Sequence, residues 1–151
     1  MNKPRPFRPA DQEPVRALIL EGMKERWAEK YEPDRDHDVD DIWRHYVKGR
    51  GADVRVIGAG NEVIAVGMLV LIDDRTGRLV RISVDRRHRR KGFATTMIRE
   101  LMDLARERGM AKVVIETDTP WADALALYLS CGFERVAEGD GSTHFERQVM
   151  T

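Results

Sequence analysis

Arg86-Arg87-His88-Arg89-Arg90-Lys91 sets five permanent cations and a histidine side by side, and Gly92-Phe93-Ala94 follows at once. Such a run, leaving a strand and entering a helix, suits a phosphate. Free main-chain N–H groups at a helix start, the positive end of the helix dipole and the surrounding guanidinium groups all attract an anion. Small residues at Gly92 and Ala94 let a diphosphate approach the backbone. The same residues also fit a solvated basic turn, and residue types alone leave both readings standing. The phosphate loop of nucleotide hydrolases is excluded, because Gly-Lys followed by Ser or Thr is missing, and so is a full dinucleotide fingerprint.

Other reactive side chains are less well placed. Cys131 lies in an apolar stretch with nothing nearby to lower a thiol pKa, so it reads as a buried small residue. His37, His45, His88 and His144 share no ligand spacing, and no metal is expected. The acidic run Asp34, Asp36, Asp38, Asp40 and Asp41 either draws a cationic ligand or forms an exposed loop in which Asp40 caps a helix. It is not a calcium loop: counted from Asp36, the sixth position is Asp41 where Gly is needed, and the twelfth is Val47 where Glu is needed.

The elements that must hold these residues follow from periodicity. Asp11 caps a helix over Gln12 to Trp27, with Pro14 in its first turn and Val15, Leu18, Ile19, Met23 and Trp27 at helical spacing. A short helix through Ile42, Trp43 and Tyr46 stops near Gly49. Three hairpin-linked strands come next: Val54 to Ile57, Val63 to Ile72, and Arg78 to Val84. Ala94, Met97, Ile98, Leu101, Leu104 and Ala105 mark a long amphipathic helix ending at Gly109. Lys112 to Thr117 is a strand, and Asp118 or Thr119 with Pro120 opens a further helix that Gly132 closes. Phe133 to Ala137 and His144 to Met150 are strands joined at Gly139-Asp140-Gly141. A strand, helix, strand unit over Arg78 to Thr117 requires a parallel pair in an otherwise antiparallel sheet.

The chain has 151 residues, 42% of them hydrophobic, with no repeat or linker, which predicts one mixed α/β (α+β) domain over residues 1–151. Lys plus Arg and Asp plus Glu number 26 each, so any basic site is local, and a nucleic-acid binder using Arg86 to Lys91 is disfavoured. Val63 to Ile72 is too short for the roughly 20 apolar residues that cross a bilayer. Met1 to Ala10 lacks the apolar core of a secretory signal, and a lone cysteine suits a reducing compartment, so a cytoplasmic location away from membranes is expected.

The basic loop also has a companion. Arg89-x-x-Gly92-x-Ala94 before a long helix, then Ala124-Leu125-Ala126-Leu127-Tyr128-Leu129-Ser130-Cys131-Gly132-Phe133 after the next strand, resembles the GCN5-related N-acetyltransferase (GNAT) superfamily. The likeness is clearest from Arg78 to Phe133, and Arg8-Pro9-Ala10, the hairpin strands and the closing strands extend it. It implies a sheet of about seven strands, mostly antiparallel, with a central parallel pair splayed apart and about four flanking helices. It further implies acetyl-CoA as co-substrate, held by Ile82, Ser83 and Val84 on the strand, by Arg89, Arg90, Lys91, Gly92, Phe93, Ala94 and Thr95 in the loop and helix start, and by Tyr128. The Val84 N–H would face the thioester carbonyl as an oxyanion donor. Tyr128 matches the family tyrosine that donates a proton to the departing thiolate, a role open to a phenol of pKa about 10.

Many family members carry Asn three residues before the motif alanine, whereas this chain has Trp121, which lacks an amide's paired donor and acceptor. Trp121 then serves as a surface or core anchor, or packs beside the cofactor. An ammonium acceptor must lose a proton before attack, and Glu116 is the first candidate base, ahead of His144 and Glu146. The expected activity is acetyl transfer to a primary amine of a small molecule or peptide. A non-catalytic acyl-CoA-binding module of the same fold is the alternative, and homodimerisation is carried over from the family.

Overall fold

The computed structural model describes residues 2–119 and 121–149. Seven strands form one sheet in the order β1-β2-β3-β4-β5-β7-β6: β1 (Arg5–Pro6), β2 (Asp53–Ala59), β3 (Glu62–Asp73), β4 (Thr76–Val84), β5 (Lys112–Asp118), β6 (Glu134–Gly139) and β7 (Ser142–Gln148). Every pairing is antiparallel except β4 with β5. That parallel contact covers only Thr76–Arg78 against Lys112–Val114, and from Leu79 onward the two strands part. The expected splayed sheet is therefore present. Pro120 and Met150, named in the expected third helix and last strand, lie outside the described residues.

Three α-helices, α1 (Gln12–Trp27), α2 (Phe93–Glu107) and α3 (Ala122–Ser130), flank the sheet together with a π-helical turn at Trp43–Lys48 and short 3-10 segments. The two faces carry separate cores. On one, Met97, Ile98, Leu101 and Ala105 of α2 pack on Leu69, Leu79, Val113, Ile115 and Phe145. On the other, Val15 and Ile19 of α1 pack on Val54, Val56, Val66, Met68 and Val70. Alternation along β3 feeds both, which is why its sequence reads as one apolar run.

Two local features set the shape of β4. Val66 faces Ser83 and Met68 faces Val80, so Gly67 alone opposes Arg81 and Ile82, a β-bulge with Arg81 at φ 54°. A Cβ at Gly67 would stand 2.6 Å from Met97 Cγ and 3.0 Å from Leu101 Cδ1, so glycine is what lets α2 seat against the bulge. The Arg81 side chain is tied down from the opposite side. It donates to Asp36 at 2.9 Å and to both oxygens of Asp38, while the Tyr46 hydroxyl also donates to Asp38. Asp36 and Asp38 of the acidic run thus clamp β4, while Asp34, Asp40 and Asp41 stay on the surface.

Local differences from the expected elements have plain causes. Asp41, not Asp40, accepts from the Arg44 N–H at 3.1 Å, because the Asp40 carboxylate is engaged by Arg16 and His37. The helix that follows closes wider π-type turns. Further along, α3 begins at Ala122, because Asp118 still belongs to β5 and Trp121 takes the position before the helix.

Candidate active site

Where β4 and β5 separate, two clefts meet. The narrower, about 510 Å³, is walled by Ile82, Ser83 and Val84 of β4, by His88, Arg89, Arg90, Gly92, Phe93, Ala94 and Thr95, by Gly22, Met23 and Arg26 of α1, and by Asp123, Ala124, Leu127 and Tyr128 of α3. The wider, about 640 Å³, runs down the splay from Ser83 to Arg78, with Glu116, Trp27 and Trp121 among its walls. Met23, Arg26, Ile82, Ser83, Ala124 and Tyr128 belong to both.

The loop feeding the narrow cleft is shaped by two left-handed residues, Arg90 at φ 62° and Gly92 at φ 84°. Asp85 starts it by accepting from the Arg87 N–H at 2.8 Å, and Gly92 stands immediately before α2 with no side chain to cap it. Among the described residues no protein acceptor meets the N–H groups of Arg89, Arg90, Lys91 or Gly92. Those of Phe93, Ala94 and Thr95 open α2 ahead of its first regular bond. Alternating left-handed residues turn such donors into one concavity, an anion nest. Lys91 does not line the cleft and its side chain is exposed, which leaves only its main chain to contribute.

Strand geometry settles the direction of one more donor. The Asp85 N–H bonds to the Ile64 carbonyl at 2.7 Å, and antiparallel alternation sends the N–H of the preceding residue, Val84, to the opposite edge of β4. That edge is the one β5 has left.

Tyr128 sits between the two clefts, edge to face with Phe133 and Phe145 at 6.5 and 5.7 Å. Burial in this apolar setting pushes its phenol up to about 12. Its hydroxyl makes no hydrogen bond among the described residues. Glu116 stands on the wide cleft, with its carboxylate 3.9 Å from His144 Nδ1, its register partner on β7. Glu146 is turned to Lys112 at 3.7 Å, away from that wall. Cys131 is only partly buried, just beyond α3, and its carbonyl accepts from Arg147 at 2.9 Å.

The end of α1 supplies what the motifs did not indicate. Glu25 pairs with Arg89 at 2.6 Å, Arg26 takes Asp123 in a two-point contact at 2.8 and 3.1 Å, and the Trp27 and Trp121 rings meet edge-on at 5.6 Å. The Arg26 guanidinium also lies 4.5 Å over the Trp121 ring. Trp121 is therefore a wall of the wide cleft and absent from the narrow one. Met23 and Trp27 read as core positions of α1 by their helical spacing, and the sequence carried no signal that they, or Arg26 between them, face a cavity.

Residues 19–133 match the model of a family described as "Acetyltransferase (GNAT) family". The chain belongs to the GNAT acetyltransferases. N-acetyltransferase 8 of Homo sapiens is 31% identical over 120 residues, covering 76% of this chain and 53% of that protein. N-acetyltransferase 8F1 of Rattus norvegicus is 35% identical over 106 residues, covering 67% and 48%. This GNAT chain thus spans about half the length of the curated relatives it matches. Among solved structures, a GNAT-family acetyltransferase from Staphylococcus aureus superposes with a TM-score of 0.88 at 16% identity, covering 99% of this chain and 100% of that one. A PaiA N-acetyltransferase from Thermoplasma acidophilum, solved with coenzyme A, gives 0.82 at 13% identity over 98% and 99%. These likenesses at low identity establish the GNAT fold. Among the described residues of this GNAT chain, no helix is long and apolar enough to cross a membrane.

Proposed function

We propose that the chain transfers an acetyl group from acetyl-CoA to a primary amine by direct attack within a ternary complex. The observation that carries this reading is the row of unpartnered main-chain donors from Arg89 to Gly92, opening into a cleft that ends at the Val84 N–H and Tyr128. The nest and the start of α2 receive the diphosphate, and the apolar walls of Ile82, Phe93 and Leu127 accept the pantetheine arm. The solved relatives bound to coenzyme A or acetyl-CoA share this fold and support the assignment.

The amine enters from the wide cleft and attacks the thioester carbon; the carbon–nitrogen bond forms as the carbon–sulfur bond breaks. The Val84 N–H donates to the carbonyl oxygen as negative charge develops on it, and holding the two substrates together supplies much of the rate. The amine's proton passes to Glu116, directly or through water. Tyr128 lies where the sulfur departs. A thiol titrates near 8.5, so full transfer from a phenol held at about 12 runs uphill. Its hydroxyl therefore steadies the leaving sulfur chiefly as a hydrogen-bond donor.

The test is a panel of primary amines with acetyl-CoA, following thiol release, beside thermal shift by coenzyme A. Thiol release that depends on the amine supports the proposal. A thermal shift with no release from any amine assigns the chain to the non-catalytic acyl-CoA-binding alternative.

A further inference from the structure

Charge in the wide cleft does not close on itself. Of the four guanidinium groups on its walls, Arg81 is held by Asp36 and Asp38, Arg26 by Asp123, and Arg35 lies 5.1 Å over the Trp27 ring with no carboxylate partner among the described residues. Arg78 has no carboxylate partner among the described residues, and its buried Nε–H has no acceptor at all. That Nε is closed off from solvent, so a ligand in the cleft meets the terminal nitrogens of Arg78, which are neither bonded nor buried among the described residues. Carboxylates stand free on the same walls, since the Asp118 side chain has no partner among the described residues and Glu116 has only the imidazole of His144. Between these charges stand the Trp27 and Trp121 rings, edge-on to each other, with Arg35 over the first and Arg26 over the second.

Resting on the N-acetyltransferase reading above, we infer that the acceptor is a zwitterion of about dipeptide size: a primary amine joined through an apolar or flat body to a carboxylate that Arg78 binds. A guanidinium matches a carboxylate by two parallel hydrogen bonds, and the two terminal nitrogens of Arg78 are the donors that an end-on fork would use. Position fixes the size. Arg78 is the last β4 residue paired to β5, at the closed end of the splay, while Ser83 borders the narrow cleft. Five strand steps separate them, at most roughly 16 Å along the chain because the bulge at Arg81 shortens the path, and the Arg78 side chain spans a part of it. Amine and carboxylate then stand several bonds apart, farther than in a free α-amino acid. The carboxylates at Glu116 and Asp118 receive the ammonium on entry, and the tryptophans cover the body between. A polyamine would set a second cation against Arg78.

The experiment compares acceptors that differ only in this charge: phenylalanyl-glycine, leucyl-glycine and aminohexanoate, each against its carboxamide, with spermidine alongside. The free acids are expected to exceed their amides in kcat/KM by about tenfold to a hundredfold, mostly through KM. Arg78→Gln should collapse that ratio toward one while coenzyme A still raises the melting temperature, and Arg78→Lys should restore it only in part, because a point charge replaces a fork. Equal or better rates with the amides or spermidine, or an Arg78→Gln loss that falls alike on both members of each pair, overturns the inference and leaves acetyl transfer standing. Absence of transfer to every amine, with coenzyme A still bound, overturns both.

Discussion

Tyr128 shows how far a residue type speaks for itself. Its phenol and its motif, Phe133 included, were visible in the chain, but its acid strength was not, because that depends on burial completed by Phe145 from β7. Tyr128→Phe is expected to lower kcat by about a hundredfold with coenzyme A affinity kept, measured by steady-state kinetics and calorimetry. Because burial holds this phenol at about 12, its ionisation cannot cause any fall in rate below pH 10. Arg81 carries a structural prediction. Arg81→Ala strands Asp36 and Asp38 in a largely buried site, and unfolding by denaturant should show a loss of about 3–5 kcal/mol. Replacing all three by neutral residues of similar volume should recover much of it. The five acidic residues were legible as a cluster, but their partner on β4 was hidden by more than 40 residues of chain.

At the scale of elements, Gly67 and Gly92 matter for different reasons. Gly67→Ala drives a methyl group into Met97 and Leu101, so thermal unfolding should report a loss of about 1–3 kcal/mol as α2 is pushed off the sheet. Gly92→Ala meets no neighbour, and its cost comes from the left-handed backbone alone. There the fold should persist while the coenzyme A dissociation constant rises about tenfold, because the nest loses its shape. Periodicity made α1, α2 and the central strands readable, since apolar spacing records which face is buried. It could not show the π-type turns at Trp43–Lys48 or the late start of α3, which follow from local backbone geometry and from where β5 ends. Nor could it show the end of α1 spanning both clefts, because Met23 and Trp27 have the same spacing whether they meet a core or a cavity.

For the whole molecule, titration and sheet continuity set the limits. Burial lifts both Tyr46 and Tyr128 to about 12, whereas an unfolded tyrosine ionises near 10. The folded chain thus keeps protons that the unfolded chain releases, so stability should hold up to about pH 10 and decline from there toward pH 12, as unfolding midpoints across that range would record. On the acid side, hydrogen bonds from Arg5 hold the Asp11 carboxyl below its ordinary range. Burial alone would raise Asp38, but bonds from Arg81 and Tyr46 outweigh it. Both contributions should be intact above about pH 4 and fade as pH falls further. The parallel pair was legible in the strand, helix, strand unit and the number of strands in the family resemblance, but the shortness of the β4–β5 ladder was not. Among the described residues, strand pairing between the four strands on one side and the three on the other is confined to Thr76–Arg78 and Lys112–Val114. The molecule is in effect two leaves joined by a short ladder and by the core under α2, with both clefts lodged where they part. Because α2 packs on strands of both leaves, any change in the width of the groove would have to repack that shared interior, so the opening is held by the core and not by the ladder alone.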